Sequence, residues 1–336
     1  MASLLTDGMV IPAHPLALDA EGTFQERNQR ALTRYYRDAG AGGIAVGVHT
    51  TQFQIREAGL LKPVLECTTE TLADRAERPL LIAGACGPTA QAVAETELAA
   101  GLGYDAVLLS PGGLADQPES ALLERSAAIG EILPVVGFYL QEAVGGRYLS
   151  SDFWRQLADQ PSTVAIKVAA FDRYRTLDVA RGVSRSGRAD QVALYTGNDD
   201  AIIHDLLTVF PSGSYFRGGL LGQFAVWTHQ AVRIVELAGR SRAGDVTATT
   251  ELLRLAPRLT DANGAVFDVA NGFAGCIGGV NEVLRRQGLL TSARTLEPAD
   301  ALSPGQDAEL DRVGAAYPEL TDDEFVRNNL AKWLAD

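Results

Sequence analysis

Short apolar runs recur along the first two thirds of this chain, and a longer amphipathic segment follows most of them. Four central runs begin at residues 106, 135, 164 and 193, and are therefore 29 residues apart. A strand, a crossover helix and two short loops need about 30 residues. The eight runs are Met9–Pro12, Gly43–Gly47, Leu80–Gly84, Ala106–Ser110, Val135–Tyr139, Val164–Lys167, Ala193–Thr196 and a weaker one at Ser214–Arg217.

Runs that are apolar along their whole length are typical of strands buried on both faces, as in a parallel sheet. Eight consecutive strand–helix units predict an α/β protein, a (β/α)8 TIM barrel over residues 1–240. A doubly wound open sheet is the alternative, but it rarely needs eight such units, and the Rossmann glycine pattern is absent after the first run. Residues 241–336 show helical periodicity and predict a C-terminal helical extension packed on the barrel.

The charge and cysteine content exclude several classes of protein. There are 29 Lys plus Arg against 42 Asp plus Glu, a net charge of −13, whereas a nucleic-acid binder needs a basic surface. No apolar run approaches the roughly 18 residues of a membrane span, so we expect neither a nucleic-acid nor a membrane partner. The cysteines, Cys67, Cys86 and Cys276, are dispersed. This pattern fits a reducing, cytoplasmic location and gives no sign of a zinc site.

Lys167 is the most informative polar residue because it ends an apolar run. In a barrel of this kind the active site lies at the C-terminal ends of the strands. Burial disfavours the ammonium form and lowers the pKa of a lysine from about 10.4, and a neutral amine can attack a ketone to form a Schiff base. The alternative is a lysine that reaches water or pairs with an acidic side chain.

Other polar residues follow neighbouring runs. Tyr139 ends the preceding run, where its phenol could relay protons or be an ordinary half-buried aromatic group. Thr50 and Thr51 could bind a carboxylate or simply form a turn. His49 could be a general acid or base, or a hydrogen-bonding loop residue.

These segments resemble the dihydrodipicolinate synthase/N-acetylneuraminate lyase family of class I, Schiff-base aldolases. Ala165-Ile166-Lys167-Val168-Ala169 is similar to the family's G-I-K-E-A segment, and Tyr139 stands 28 residues earlier, where the family has its Y-N-V-P tyrosine. Residues 46–51, 79–89 and 196–199 are similar to the family's G-[ST]-T-G-E, P-V-I-A-G-x-G-x-x-T and S-G-D-D segments.

The resemblance implies a lyase, an aldolase or a dehydratase, that acts on a 2-oxo acid such as pyruvate. Lys167 would form the Schiff base, and Tyr139, oriented by Thr50, would shuttle protons. His49, Thr51 and Gly197 would bind substrate. No metal or organic cofactor is implied, and family members are commonly tetramers built from two dimers, so a homo-oligomer is expected.

Departures from the family pattern keep one other function open. Leu140-Gln141-Glu142 replaces N-V-P, and no arginine clearly takes the place of the one that often holds the substrate carboxylate. Gly112-Gly113 replaces a tyrosine pair, which argues against dihydrodipicolinate synthesis. A non-catalytic 2-oxo-acid binding or regulatory protein is therefore one alternative. A metal-dependent barrel hydrolase is a further hypothesis, although the four histidines are dispersed.

Overall fold

The computed structural model describes residues 5, 7–73 and 78–335. Its strands coincide closely with the apolar runs of the sequence. They are β1 (Val10–Pro12), β2 (Gly43–Val46), β3 (Leu80–Ala85), β4 (Ala106–Leu109), β5 (Val135–Leu140), β6 (Thr163–Ala169), β7 (Ala193–Thr196) and β8 (Phe216–Leu221). They form one eight-stranded sheet in the order β1-β8-β7-β6-β5-β4-β3-β2.

The first strand lies beside the eighth: the amide of Ala13 donates to the carbonyl of Leu221 at 3.1 Å. A doubly wound open sheet does not place its first and last strands side by side. The (β/α)8 TIM barrel with C-terminal helices is thus confirmed, and the open-sheet alternative is wrong.

Helices alternate with the strands and continue after the last one. The helices between and directly after the strands are α1 (Glu26–Asp38), α2 (Leu61–Leu72), α3 (Thr89–Gly101), α4 (Glu119–Gly130), α5 (Ser151–Asp159), α6 (Arg173–Ser184), α7 (Ile202–Leu207) and α8 (Thr228–Arg242). The C-terminal helices are α9 (Val246–Val266), α10 (Cys276–Arg286), α11 (Gln306–Ala316) and α12 (Asp323–Trp333).

Strand β8 lies later in the chain than its sequence pattern indicates. Two glycines, Gly218 and Gly219, occupy its middle, and glycine weakens the strand pattern of a sequence. A Cβ atom on Gly218 would lie 2.1 Å from the carbonyl oxygen of Met9. The close approach of these two backbones therefore requires glycine there, and the same residue makes the strand hard to recognise.

The chain forms two compact units, and each has its own packing. The first comprises Met1–Met9 with Leu80–Leu220, and the second comprises Val10–Pro79 with Leu221–Asp336. In the second unit α12 packs on α1: the ring of Trp333 lies 5.3 Å from that of Tyr35, and its indole Nε1 donates to Asp38 at 2.9 Å. The C-terminal helices are thus part of the core of this unit. The predicted division of the chain at residue 240 stays a prediction.

Candidate active site

The pairing of β5 with β6 decides which side chains share a face with Lys167. The register shifts between Val135 and Val136, where β6 carries one extra residue, Val164, which is a β-bulge. Beyond the bulge, Phe138 is the partner of Lys167. The Nζ atom of Lys167 lies 4.3 Å from the centroid of the Phe138 ring, so these two side chains are on the same face.

Tyr139 points to the opposite face, because successive side chains of a strand alternate. Its ring centroid lies 5.4 Å from that of Trp154 on α5, and burial raises the pKa of its phenol to about 12. The structure therefore does not bring Tyr139 to Lys167 as the sequence predicts. The 28-residue spacing counts the bulge residue, and a shift of one residue exchanges the two faces. Phe138, which has no hydroxyl, occupies the position expected for the tyrosine.

Lys167 is a buried amine with 8 % of its surface exposed. Among the residues that the structure describes, it makes no ion pair and no hydrogen bond. Burial lowers its pKa to about 8, although the charge of Asp199 opposes that change. At neutral pH roughly a tenth of the amine is then uncharged, compared with less than a thousandth at an ordinary lysine pKa. This is the state that can attack a carbonyl carbon.

Gly197 lies against the Lys167 side chain, and its contact with substrate stays a prediction. A Cβ atom on Gly197 would lie 2.8 Å from Cε of Lys167 and 2.8 Å from Cβ of Ala169. A side chain at this position would displace the lysine. The absence of a side chain at Gly197 therefore leaves room for the Lys167 amine.

A buried polar network holds the turn that follows β7. The Nδ2 atom of Asn198 donates to Asp205 at 2.9 Å, and its Oδ1 accepts from the amide of Phe171 at 2.9 Å. Asp205 also accepts from Thr196 at 2.5 Å and pairs with Arg173. Buried polar groups with all these partners make a rigid turn. The network therefore fixes the chain on either side of Gly197.

Thr51 has a structural role in the turn after β2. Its hydroxyl donates to the carbonyl of His14 at 2.6 Å and accepts from the amides of Gly47 and Val48 at 2.9 and 3.2 Å. Its own amide donates to Val48. A hydroxyl has one proton and two lone pairs, so these bonds use all of them. The side chain of Thr51 is therefore engaged by the fold, as the turn alternative predicts, and its contact with substrate stays a prediction without geometric support.

Thr50 and His49 lie in the same turn but are placed differently. Thr50 is buried, and its hydroxyl makes no hydrogen bond within the described part of the chain. His49 is half-buried, and its ring centroid lies 5.8 Å from that of Phe53. Both residues follow the C-terminal end of β2, where the barrel rule places functional side chains. Their contacts with substrate stay predictions.

Phe267 is a neighbour of this turn that the sequence does not reveal. A Cβ atom on Gly222, directly after β8, would lie 3.1 Å from the Phe267 ring and 3.4 Å from Oγ1 of Thr50. The C-terminal region, through the residue after α9, thus reaches the ends of β2 and β8. No sequence motif identifies Phe267, because its position depends on how α9 packs.

Two further kinds of site are absent from the residues that the structure describes. Among them, no group of three or more His, Cys, Asp or Glu side chains could hold a metal ion. No helix in this part of the chain is both long and apolar enough to cross a membrane.

No family model matches the chain, and no curated protein matches it in sequence. Solved structures do share its fold. The N-acetylneuraminate lyase of Fusobacterium nucleatum is 17 % identical with a TM-score of 0.74, over 95 % of this chain and 100 % of that one. The dihydrodipicolinate synthase of Bacillus anthracis is 20 % identical with a TM-score of 0.74, over 92 % and 98 %.

A third structure of the same fold was solved with pyruvate. It is YagE of Escherichia coli K12, a prophage protein of the dihydrodipicolinic acid synthase family, 18 % identical with a TM-score of 0.76 over 93 % of this chain and 98 % of that one. Many neighbours of this barrel thus belong to the family that the sequence motifs resemble. At this identity the likeness establishes the fold.

Proposed function

We propose that this protein is a Schiff-base-forming lyase that acts on a 2-oxo acid. The observation that carries the proposal is the Lys167 amine, which is buried, has no ion pair among the described residues, and has a pKa lowered to about 8. The pyruvate complex of YagE supports the substrate class, since that protein has the same fold.

The reaction begins with the chemistry of the amine. The neutral Nζ of Lys167 attacks the ketone carbon, and the resulting carbinolamine takes up a proton from solvent and loses water to give a protonated imine. That imine accepts the electron pair of a breaking bond at the neighbouring carbon and becomes an enamine. Aldol cleavage and dehydration both proceed from this intermediate, so either fits the site. The substrate contacts of Thr50 and His49 stay predictions from the family resemblance.

One observation favours a second function, a 2-oxo-acid binding protein without turnover. The side chain that faces Lys167 is Phe138, and a phenyl ring cannot carry protons to and from a carbinolamine. Such a protein would still condense with the ketone. Adduct formation without turnover distinguishes it from the lyase.

Borohydride trapping is a sharp test of the proposal. The sequence contains three lysines, so the modified one is easily located. Lys62 and Lys332 are exposed, with 61 % and 66 % of their side-chain surfaces accessible, and Lys167 is buried. We expect incubation with pyruvate and borohydride to add one reduced pyruvyl group, located by peptide mass analysis on Lys167.

The Lys167→Ala variant is expected to lose this adduct completely, and Lys62→Ala, the matched control, to keep it. A wild-type chain left unmodified by several 2-oxo acids would refute both the lyase and the binding protein.

The cellular location and the oligomeric state of the protein are also part of the proposal. We infer a cytoplasmic homo-oligomer, a dimer or a tetramer, from the cysteine usage and the family resemblance. Light scattering that gives the mass of a monomer would contradict this assembly.

A further inference from the structure

Arg125 is a buried guanidinium outside the candidate active site. It lies on α4 with 4 % of its surface exposed. Its Nε and Nη2 atoms are buried and make no hydrogen bond, and it has no ion pair with any described residue. Burying a charge without a partner is costly, so buried arginines are normally paired.

Two further hydrogen-bond donors near Arg125 also lack partners. The hydroxyl of Ser126 and the indole Nε1 of Trp154 are buried and make no hydrogen bond within the described chain. These three residues line one cavity of about 30 Å³. The remaining lining is almost entirely apolar and contains no carboxylate; it is formed by Leu109, Pro111, Leu122, Val135, Gly137, Phe138, Leu149, Phe153 and Leu157.

The nearest titratable groups do not neutralise Arg125. Cys86 and Glu95 act on its charge from a distance. The Glu95 carboxylate accepts from the amide of Cys86 at 3.1 Å and from Gln91 at 2.8 Å. Burial lowers the pKa of Arg125 to about 10, so the guanidinium stays charged at neutral pH.

The unpartnered groups of the cavity are mainly hydrogen-bond donors. Guanidinium and indole N–H groups are donors only, and the Ser126 hydroxyl can donate or accept. A water molecule can bond to these groups, but it carries no charge and leaves the guanidinium without a counter-ion. The space inside admits one or two water-sized particles, which favours a small anion over phosphate, sulfate or a 2-oxo acid.

We propose that this cavity binds one small monovalent anion of the size of chloride or bromide, held by Arg125, Ser126 and Trp154. The anion supplies the charge that the guanidinium lacks and accepts hydrogen bonds from all three donors. The site is separate from Lys167 and independent of the proposed lyase activity.

Thermal unfolding in bromide tests the proposal. A ligand that binds only the folded state raises stability in proportion to the logarithm of one plus its concentration divided by Kd. We expect the Tm to rise with bromide beyond its change in gluconate at equal ionic strength, because gluconate is too large for the cavity. An equal response to both salts would overturn the proposal.

Three variants locate the effect. Arg125→Met is expected to abolish the difference between bromide and gluconate, and to be at least as stable as the wild type in gluconate. Trp154→Phe keeps the ring and removes one donor, so several-fold more bromide should be needed. Arg155→Met, which removes a half-buried arginine paired with Asp152, should leave the difference unchanged.

Diffraction gives a test that does not depend on variant folding. Crystals of the wild type grown in bromide should show an anomalous peak in the cavity beside Arg125. An absent peak at saturating bromide, or peaks confined to the surface, would contradict the proposed site.

Discussion

Lys167 and Arg125 are two buried cations, and neither makes an ion pair with a described residue. Burial lowers the pKa of both, to about 8 for the amine and about 10 for the guanidinium. The amine can therefore lose its proton near neutral pH, whereas the guanidinium cannot. Desolvation thus makes the Lys167 amine a candidate nucleophile. The Arg125 guanidinium stays charged and requires a counter-ion.

The largest expected effect comes from placing a hydroxyl beside the Lys167 amine, on the side chain of residue 138. We expect Phe138→Tyr to accelerate the exchange of the methyl hydrogens of pyruvate for deuterium by about a hundredfold, since general acid–base catalysis contributes at least that much. Proton NMR measures this exchange.

The matched control is Tyr139→Phe, which removes a phenol from the face that packs on Trp154. We expect its exchange rate to equal that of the wild type. Loss of exchange in Tyr139→Phe, with no gain in Phe138→Tyr, would show that Tyr139 is the proton relay after all.

A smaller effect is expected from crowding the amine. In Gly197→Ala the new methyl group would meet Cε of Lys167 at 2.8 Å, so the side chain must move. We expect the rate of borohydride trapping with pyruvate to fall about tenfold, because small displacements of a nucleophile are costly. Gly101→Ala, where the added methyl group has no neighbour within 4 Å, should trap at the wild-type rate.

The smallest effect concerns stability and compares the two cations directly. A lysine whose folded-state pKa is lowered binds fewer protons than in the unfolded chain, so the wild type gains stability as the pH rises above 8. The advantage in unfolding free energy of Lys167→Met over the wild type should therefore shrink by about 1 kcal/mol between pH 7 and 9.

The corresponding advantage of Arg125→Met should stay constant over the same range, since its pKa of about 10 lies above it. Urea titrations at the two pH values measure both differences. A constant advantage for Lys167→Met would mean that its amine has an ordinary pKa.

The barrel could be predicted from the sequence because its strands are short, apolar and regularly spaced. The position of β8 is harder to predict from the sequence, since the glycine that allows Met9 to approach also weakens the strand pattern. The expectation that Tyr139 lies beside Lys167 differs from the structure for another reason. Counting residues along the chain does not reveal the bulge at Val164, and register is a property of two strands together.

Other parts of the site depend on packing between segments that are distant in the sequence. Phe267 and Thr50 both lie beside Gly222, the residue after β8, because α9 ends there. Arg125 lies in an ordinary amphipathic helix, and nothing in that helix indicates that its guanidinium is enclosed without a counter-charge. Such features follow from tertiary structure, which local sequence patterns do not encode.

Phe138 has a consequence for how this protein is assayed. One residue lies against the amine of Lys167 and also lines the cavity of Arg125. A substitution at residue 138 therefore has to be assayed at both places, by borohydride trapping for the amine and by the bromide dependence of the Tm for the guanidinium.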